Sequence, residues 1–292
     1  MTIERVAVTG GNGKIGTAII EEFADRGYHT IDVARGKRRE EVSDEYRTTD
    51  LLDAGEVYGA FAASDPDAVV HMGTIPSPTN HAGHTTFESN AMSVYHVLEA
   101  ATALDCEAVV LPSSINVMGA DFQAAETDVR YLPVDEDHPL TPRDPYALGK
   151  HTTEVLGDGF ARRQDTPGVV SLRYPWVGTT DQIRSAYGEA DRELADVRES
   201  EWHGRATLFS YLHLDDAATI ARLAVEADVD GHEAFWAVAA DTNAAVPSAR
   251  LADEFFPEAE VRGDLDGHES LISIEKARDL LGWEPERLWR DL

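Results

Sequence analysis

Tyr146 and Lys150 stand four residues apart in Tyr-Ala-Leu-Gly-Lys, which at helical spacing puts a phenol and an ammonium on one face. A cation beside a phenol favours the phenolate and lowers its pKa from about 10. Tyr146 would then accept a proton near neutrality. Taken alone, the pair also fits a surface contact that merely spans a turn. Two further features favour chemistry. Ser113 and Ser114 follow an apolar run, residues 107–111, and place hydroxyls at a strand end. Gly10, Gly13 and Gly16 are spaced three apart between an apolar run and an apolar-periodic segment (Ile15, Ala18, Ile19, Phe23). Glycine lets a ligand come close, and N–H groups at a helix start hold phosphate. Residues 6–16 therefore read as strand, turn and helix, gripping the pyrophosphate of a dinucleotide.

The elements that must position these groups alternate. Residues 28–34 form a second strand one helix after the glycine turn, as a βαβ unit requires. A short third strand covers 46–50, a helix 54–63 and a buried-type strand 68–72. Helical periodicity runs over 85–104, followed by the strand 107–111 and a long polar segment, 121–144. A helix over 145–163 carries Tyr146 in its first turn, and 169–173 is a sixth strand. This order predicts an α/β fold with a Rossmann-type doubly wound parallel sheet. After Pro175 the regularity breaks. A charged helix over 182–200, a strand over 207–213, a helix over 215–227, a strand over 234–238 and short helices over 248–256 and 274–281 are expected. Residues 1–175 are thus the dinucleotide-binding part. Residues 176–292 form mainly a substrate lobe, which is not an independent domain, over the carboxyl ends of the strands.

The chain has 292 residues, enough for one large core with a small lobe. Cys106 is the single cysteine, which excludes an internal disulfide and suits a reducing cytoplasm. No apolar run approaches the roughly 18 residues of a membrane span, and the first strand begins without a signal peptide. Fifty-four acids against 25 bases give a net charge of −29, and only four of the bases are lysine. Such self-repulsion weakens a compact state, and molar salt screens it to about 3 Å. The composition predicts the cytoplasm of a salt-in halophile; an ordinary acidic cytoplasmic protein is the alternative. It argues against nucleic acid and anionic membranes as partners. The histidines lack metal-ligand spacing, so no metal site is expected.

The chain resembles the extended short-chain dehydrogenase/reductase family along nearly its whole length. The glycine turn resembles TGxxGxxG, and Asp50-Leu51 resembles the adenine-contacting Asp after the third strand. His71-Met72-Gly73-Thr74 stands where the family has H-x-A-A, and Asn90 matches an Asn in the long helix. Residues 113–119, SSINVMG, resemble S-S-x-x-V-Y-G, with Met118 replacing the tyrosine. Tyr146 and Lys150 match Tyr-x-x-x-Lys, residues 211–216 resemble V-H-V-D-D, and residues 280–285 resemble the closing L-G-W-x-P.

The resemblance implies roles by position. Tyr146 is the general acid/base, Lys150 binds the nicotinamide ribose, and Ser114, ahead of Ser113, hydrogen-bonds the reacting oxygen. Gly10, Asn12, Gly13, Lys14, Ile15, Gly16, Arg35, Asp50, Leu51, Met72, Gly73, Pro175 and Val177 line the cofactor. Ser77, Asn116 and Trp176 face the substrate, although Asn116 also suits a loop tie and Trp176 lobe packing. The resemblance further implies a homodimer or homotetramer paired through 85–104 and 145–163.

Two departures narrow the reading. Where NAD-preferring members end the second strand with an acid, this chain has Ala34 and then Arg35-Gly36-Lys37-Arg38-Arg39. That favours the 2′-phosphate of NADP over NAD, with Asp32 as the rival ribose partner. The segment between the sixth strand and 207–213 is short and acidic, which suits a small sugar better than a nucleotide diphosphate. The expected reaction oxidises a free aldose, a pentose such as L-arabinose or a hexose, at C1 to the lactone, with hydride transfer to the nicotinamide. The alternatives are a nucleotide-sugar 4-epimerase or dehydratase with tightly bound NAD, and a non-catalytic dinucleotide sensor.

Overall fold

The computed structural model describes residues 3–39, 41–120, 122, 127–164, 166–188, 194 and 204–292. In chain order the first elements are β1 (Arg5–Thr9), α1 (Lys14–Asp25), β2 (His29–Ala34), β3 (Glu45–Thr48), α2 (Ala54–Ser64) and β4 (Ala68–His71). Then come α3 (Gly83–Ala103), β5 (Ala108–Ser114), β6 (Tyr131–Leu132), α4 (Pro145–Ala161), β7 (Gly168–Tyr174) and β8 (Val177–Gly178). The remainder is α5 (Thr180–Tyr187), β9 (Leu212–His213), α6 (Leu214–Glu226), β10 (His232–Trp236), α7 (Ser248–Phe255), β11 (Glu260–Val261) and α8 (Glu275–Leu281).

Seven strands form one sheet in the order β10-β7-β5-β4-β1-β2-β3. The β1–β2, β1–β4, β2–β3 and β4–β5 pairs are parallel, with Val8 opposite both Asp32 and Val70. Strands covered on both faces read as continuous apolar runs, and Val6, Ala7, Val8, Val69, Val70 and Val109 are buried accordingly. From β1 the chain moves outward to β2 and β3, then returns to the other side with β4 and β5. The reversal lies between β1 and β4, and ligands of open α/β sheets bind outside the carboxyl ends at such a point.

Local chemistry sets the element ends. Asp53 caps α2 by accepting from the N–H groups of Gly55 and Glu56. Pro145 opens α4, where its missing N–H costs no helical bond. Gly282 ends α8 in the left-handed region at φ +64°.

The chain folds into two compact units of three segments each. The first holds Met1–Ser113, Pro145–Leu172 and Ala218–Ala234; the second holds Ser114–Asp144, Arg173–Ala217 and Phe235–Leu292. The first is cored by Ala7, Ile31, Phe61, Val97, Leu98, Leu111 and Phe160 among others. In the second, Ile183, Tyr187, Tyr211 and Ala239 form a cluster with Trp176, Trp289 and Leu292 packed on it.

The expected strand over 207–213 is corrected by the structure. Arg205–Thr207 is a 3-10 helix, Leu208 and Phe209 have φ of +51° and +55°, and only Leu212–His213 is strand. Ser210 N–H donates to Thr207 O at 3.0 Å, closing a turn on the two residues. Both side chains are fully buried, and that burial holds a backbone shape usually left to Asn-Gly. Of the expected helix over 182–200, the structure describes α5, with a capping box between Thr179 and Gln182; residues 189–193 and 195–200 lie outside the described residues.

Candidate active site

The glycine turn follows β1 directly, at the sheet's reversal. Gly10 has φ +72°, its N–H donates to Val33 O at 2.8 Å, and its O accepts from Gly13 N at 2.9 Å. A Cβ on Gly10 would stand 2.8 Å from Gly73 Cα, and one on Gly16 would collide with Gly10 O. Gly11, not singled out from the sequence, is equally tight against the Asp32 carboxylate. Gly13, exposed, precedes α1, whose first turn no side chain caps; Lys14 is also exposed and Ile15 half-buried. This is a bare helix start with a backbone that only glycine can line, which fits a pyrophosphate.

The loop after β4 is fixed by three neighbours. Thr9 Oγ1 accepts from the N–H groups of Met72 (3.1 Å) and Gly73 (3.2 Å) and lies 2.7 Å from His71 Nδ1. Having accepted twice, the Thr9 hydroxyl gives its proton to Nδ1. His71 therefore carries hydrogen on Nε2, facing Ser93 Oγ at 3.1 Å, and Ser93 donates onward to Ser89 O. Burial, reinforced by Lys150, pushes the His71 pKa down to about 3, so the ring stays neutral. Asn90 grips Ile75 twice, accepting from its N–H at 2.8 Å and donating to its O at 3.1 Å. Leu51 packs on Gly73 so closely that a Cβ there would have to displace the end of the leucine side chain. Gly10, Gly16, Leu51, Met72 and Gly73 are thus brought together.

α4 carries Tyr146 and Lys150, four residues apart. Tyr146 is 8% exposed, and Lys150 Nζ lies 5.6 Å from its ring centroid. Lys150 is 3% exposed and donates to Pro112 O at 2.7 Å and to Thr74 Oγ1 at 2.9 Å. Burial pushes its pKa down to about 7. One turn further, Glu154 Oε1 accepts from Ser113 Oγ at 2.5 Å, so Ser113 is committed to a structural bond.

Arg35 is exposed and follows Ala34, the last residue of β2. Its loop is held to the glycine turn by Asn12, which donates to Arg35 O and Lys37 O and accepts from Arg39 N at 3.0 Å. Arg38 folds back onto Ser43. Asp32 is 3% exposed and faces Gly11, so it lies under the turn rather than at the strand end. Burial pushes its pKa up to about 6. Asp50, exposed, accepts from Leu52 N at 3.1 Å and donates its N–H to Glu56. Ser77 caps the 3-10 helix Pro78–Asn80 and bonds Thr79 Oγ1 at 2.8 Å.

Ser114, Asn116, Pro175, Trp176 and Val177 belong to the second unit. Ser114 Oγ donates to Asn116 Oδ1 at 2.7 Å, and Asn116 Nδ2 donates to Ala120 O at 2.9 Å. Asn116 therefore holds Ser114 and the following loop. Trp176 lies over Gly178 and meets Tyr187 edge-on at 6.0 Å. Pro175 and Val177 are buried beside it in sequence.

A Ser171–His232–Asp158 chain, with contacts of 2.8 and 2.7 Å, imitates a hydrolytic triad. Ser171 is fully buried within β7, so its hydroxyl meets no substrate. Thr9, Thr74 and Glu154 were given no role from the sequence, although Thr9 opens the stretch that resembles TGxxGxxG. Glu154 stands four residues after Lys150 and Thr74 breaks the H-x-A-A pattern; those were the available signals.

A family model described as NAD dependent epimerase/dehydratase family matches residues 6–238. L-arabinose 1-dehydrogenase (NAD(P)(+)) of Haloferax volcanii is 30% identical over 199 residues, covering 66% of this chain and 75% of that protein. A 3-diazoavenalumate denitrifying reductase of Streptomyces is 30% identical over 237 residues, covering 78% and 74%. Among solved structures, UDP-glucose 4-epimerase of Thermotoga maritima with UDP-glucose superposes with a TM-score of 0.70 at 21% identity, covering 97% of this chain and 94% of that one. That likeness shows the fold.

Proposed function

The chain belongs to the NAD dependent epimerase/dehydratase family, and from this we propose an NAD(P)-dependent sugar dehydrogenase that oxidises a free aldose, a pentose such as L-arabinose or a hexose, at C1 to the lactone. The observation that carries the reading is Lys150, buried and bonded to Thr74 and Pro112 one helical turn from Tyr146, in the same unit as the glycine cradle. Similarity to an arabinose dehydrogenase supports oxidation as the net outcome.

In this reading Tyr146 takes the proton of the substrate hydroxyl, and the Lys150 ammonium favours its phenolate. Ser114, held by Asn116, orients the reacting oxygen. Gly10, Asn12, Gly13, Lys14, Ile15 and Gly16 hold the pyrophosphate, while Asp50, Leu51, Met72 and Gly73 line the adenosine side. Pro175 and Val177 border the nicotinamide, and Ser77 and Trp176 face the sugar. A nicotinamide dinucleotide, when bound, supplies the hydride acceptor.

NADP is the favoured form. A small residue followed by exposed Arg35 leaves room and a charged donor for a 2′-phosphate, and Asp32 is turned under the glycine turn. Exposed Phe87 and Met92 on α3, with Leu148 and Val155 on α4, support pairing of two copies through these helices. The net charge supports a cytoplasm rich in salt.

The test is a screen of free aldoses with NADP and NAD in molar KCl, with the Tyr146→Phe variant alongside. Reduced cofactor from the wild type, a loss of at least about 100-fold in the variant and retained cofactor binding are expected. The second reading, a nucleotide-sugar 4-epimerase, is kept because the family's description names epimerases. Tightly retained NAD without net reduced cofactor would decide for it.

A further inference from the structure

Thr74 stands where the family pattern has alanine, and its hydroxyl is one of two partners of the Lys150 amine. We propose that Thr74 is the positioning residue of Lys150, keeping the amine hydrogen-bonded in place whether or not it carries its third proton. The inference rests on the catalytic role given to Lys150 above.

An ammonium has three donors and no acceptor; a neutral amine has two donors and one lone pair. Pro112 O accepts in either state, at 2.7 Å. A hydroxyl both donates and accepts. At 2.9 Å from Nζ, Thr74 Oγ1 accepts from the ammonium and can turn its own hydrogen to the lone pair of the amine. No heavy atom moves between the two states.

Thr74 is itself held on both sides. The preceding N–H groups of Met72 and Gly73 are fixed by Thr9, its own N–H donates to Met72 O at 2.9 Å, and Ile75 is gripped by Asn90. It is half-buried, whereas Lys150 is 3% exposed. With alanine there, the buried ammonium would keep only the carbonyl, and its loss would exceed that of the neutral amine, because charged bonds are the stronger ones. Burial already draws the Lys150 pKa down to about 7, so the choice between states falls in the working range. Of the titratable groups on the elements packed here, His71 on β4 stays neutral, and Tyr146 and Glu154 share the Lys150 face of α4. His151 and Asp158 also lie on α4, Asp158 exposed and bonded to His232. On α3, His84, Glu88 and Glu99 are exposed, Tyr95 meets Phe160 and His96 turns to Leu51 O. β5 supplies Ser113 and α3 supplies Asn90 and Ser93, none of which titrates.

The experiment compares wild type, Thr74→Val and Thr74→Ser, with Thr74→Ala in place of valine should that variant not fold. Two readouts are taken. The alkaline limb of kcat/KM against pH, for a substrate the wild type oxidises, should move down by about one unit or more in T74V and return in T74S. Independently of turnover, the Tm gap between wild type and T74V should widen from about pH 9 to about pH 6, because the charged bond exists only in the protonated state. A gap equal at both pH values, or an unmoved limb, overturns the proposal. A wild type that oxidises no aldose would sink the functional reading instead, and the Tm gap would still decide the role of Thr74.

Discussion

Ser113 Oγ and Glu154 Oε1, 2.5 Å apart and both buried, join the end of β5 to the helix that carries Tyr146 and Lys150. The Ser113 hydroxyl donates and the Glu154 carboxyl oxygen accepts. The same face of α4 thus presents Tyr146, Lys150 and Glu154 over two turns, and the next residue in β5 is Ser114. Glu154→Ala would leave the Ser113 hydroxyl unpaired and cost about 1–3 kcal/mol. Urea denaturation of both single variants and of the Ser113→Ala/Glu154→Ala double variant measures this. Strongly non-additive costs are expected; simple additivity would show that the two groups do not act as a pair.

Arg35 decides the cofactor prediction. Arg35→Asp puts an acid just beyond Ala34, repelling a 2′-phosphate and offering acceptors to a free ribose. The ratio of kcat/KM for NADP to that for NAD should fall by about tenfold or more, the equivalent of one charged hydrogen bond. An unchanged ratio would move the discrimination elsewhere in the loop.

Asp32 makes a pH prediction. Its folded pKa, about 6, lies above the unfolded value, so the native state binds the extra proton between about pH 4 and 6. This group therefore removes stability as pH rises through that window. Its Oδ1 has no partner among the described residues. Asp32→Asn should raise Tm at pH 7 and leave it nearly unchanged near pH 4. A variant less stable at both values would show that the carboxylate is needed by the glycine turn.

The net charge of −29 predicts a strong salt response. Tm should rise between about 0.1 M and molar KCl as screening shortens to about 3 Å. A flat profile would remove the basis for placing this chain in a salt-rich cytoplasm.

The alternation of strands and helices was legible because buried parallel strands and amphipathic helices carry different apolar periods. The Gly10–Gly16 turn was legible from spacing, and the structure supplies its steric reason in Gly73 and Gly10 O. Tyr146 and Lys150 were legible from helical spacing. Partners distant in sequence were not: Thr74 lies 76 positions from Lys150, and Ser113 lies 41 from Glu154. The Asp32 side chain alternates along β2 as any strand residue does, and only its packing under Gly11 removes it from the strand end. The strand over 207–213 failed because the burial of Leu208 and Phe209 imposes a turn that their residue types disfavour.

The strand order has a consequence for biosynthesis. β5 is complete at Ser114, but its outer neighbour in the sheet, β7, begins only at Gly168, and the edge strand β10 begins at His232. While the ribosome makes the intervening residues, the nascent sheet ends in an open border whose first part, Ala108–Leu111, is apolar and able to pair with an extended chain. The crowding of acids across the sequence keeps neighbouring nascent chains apart during that interval, so the charge that burdens the finished fold also guards its assembly.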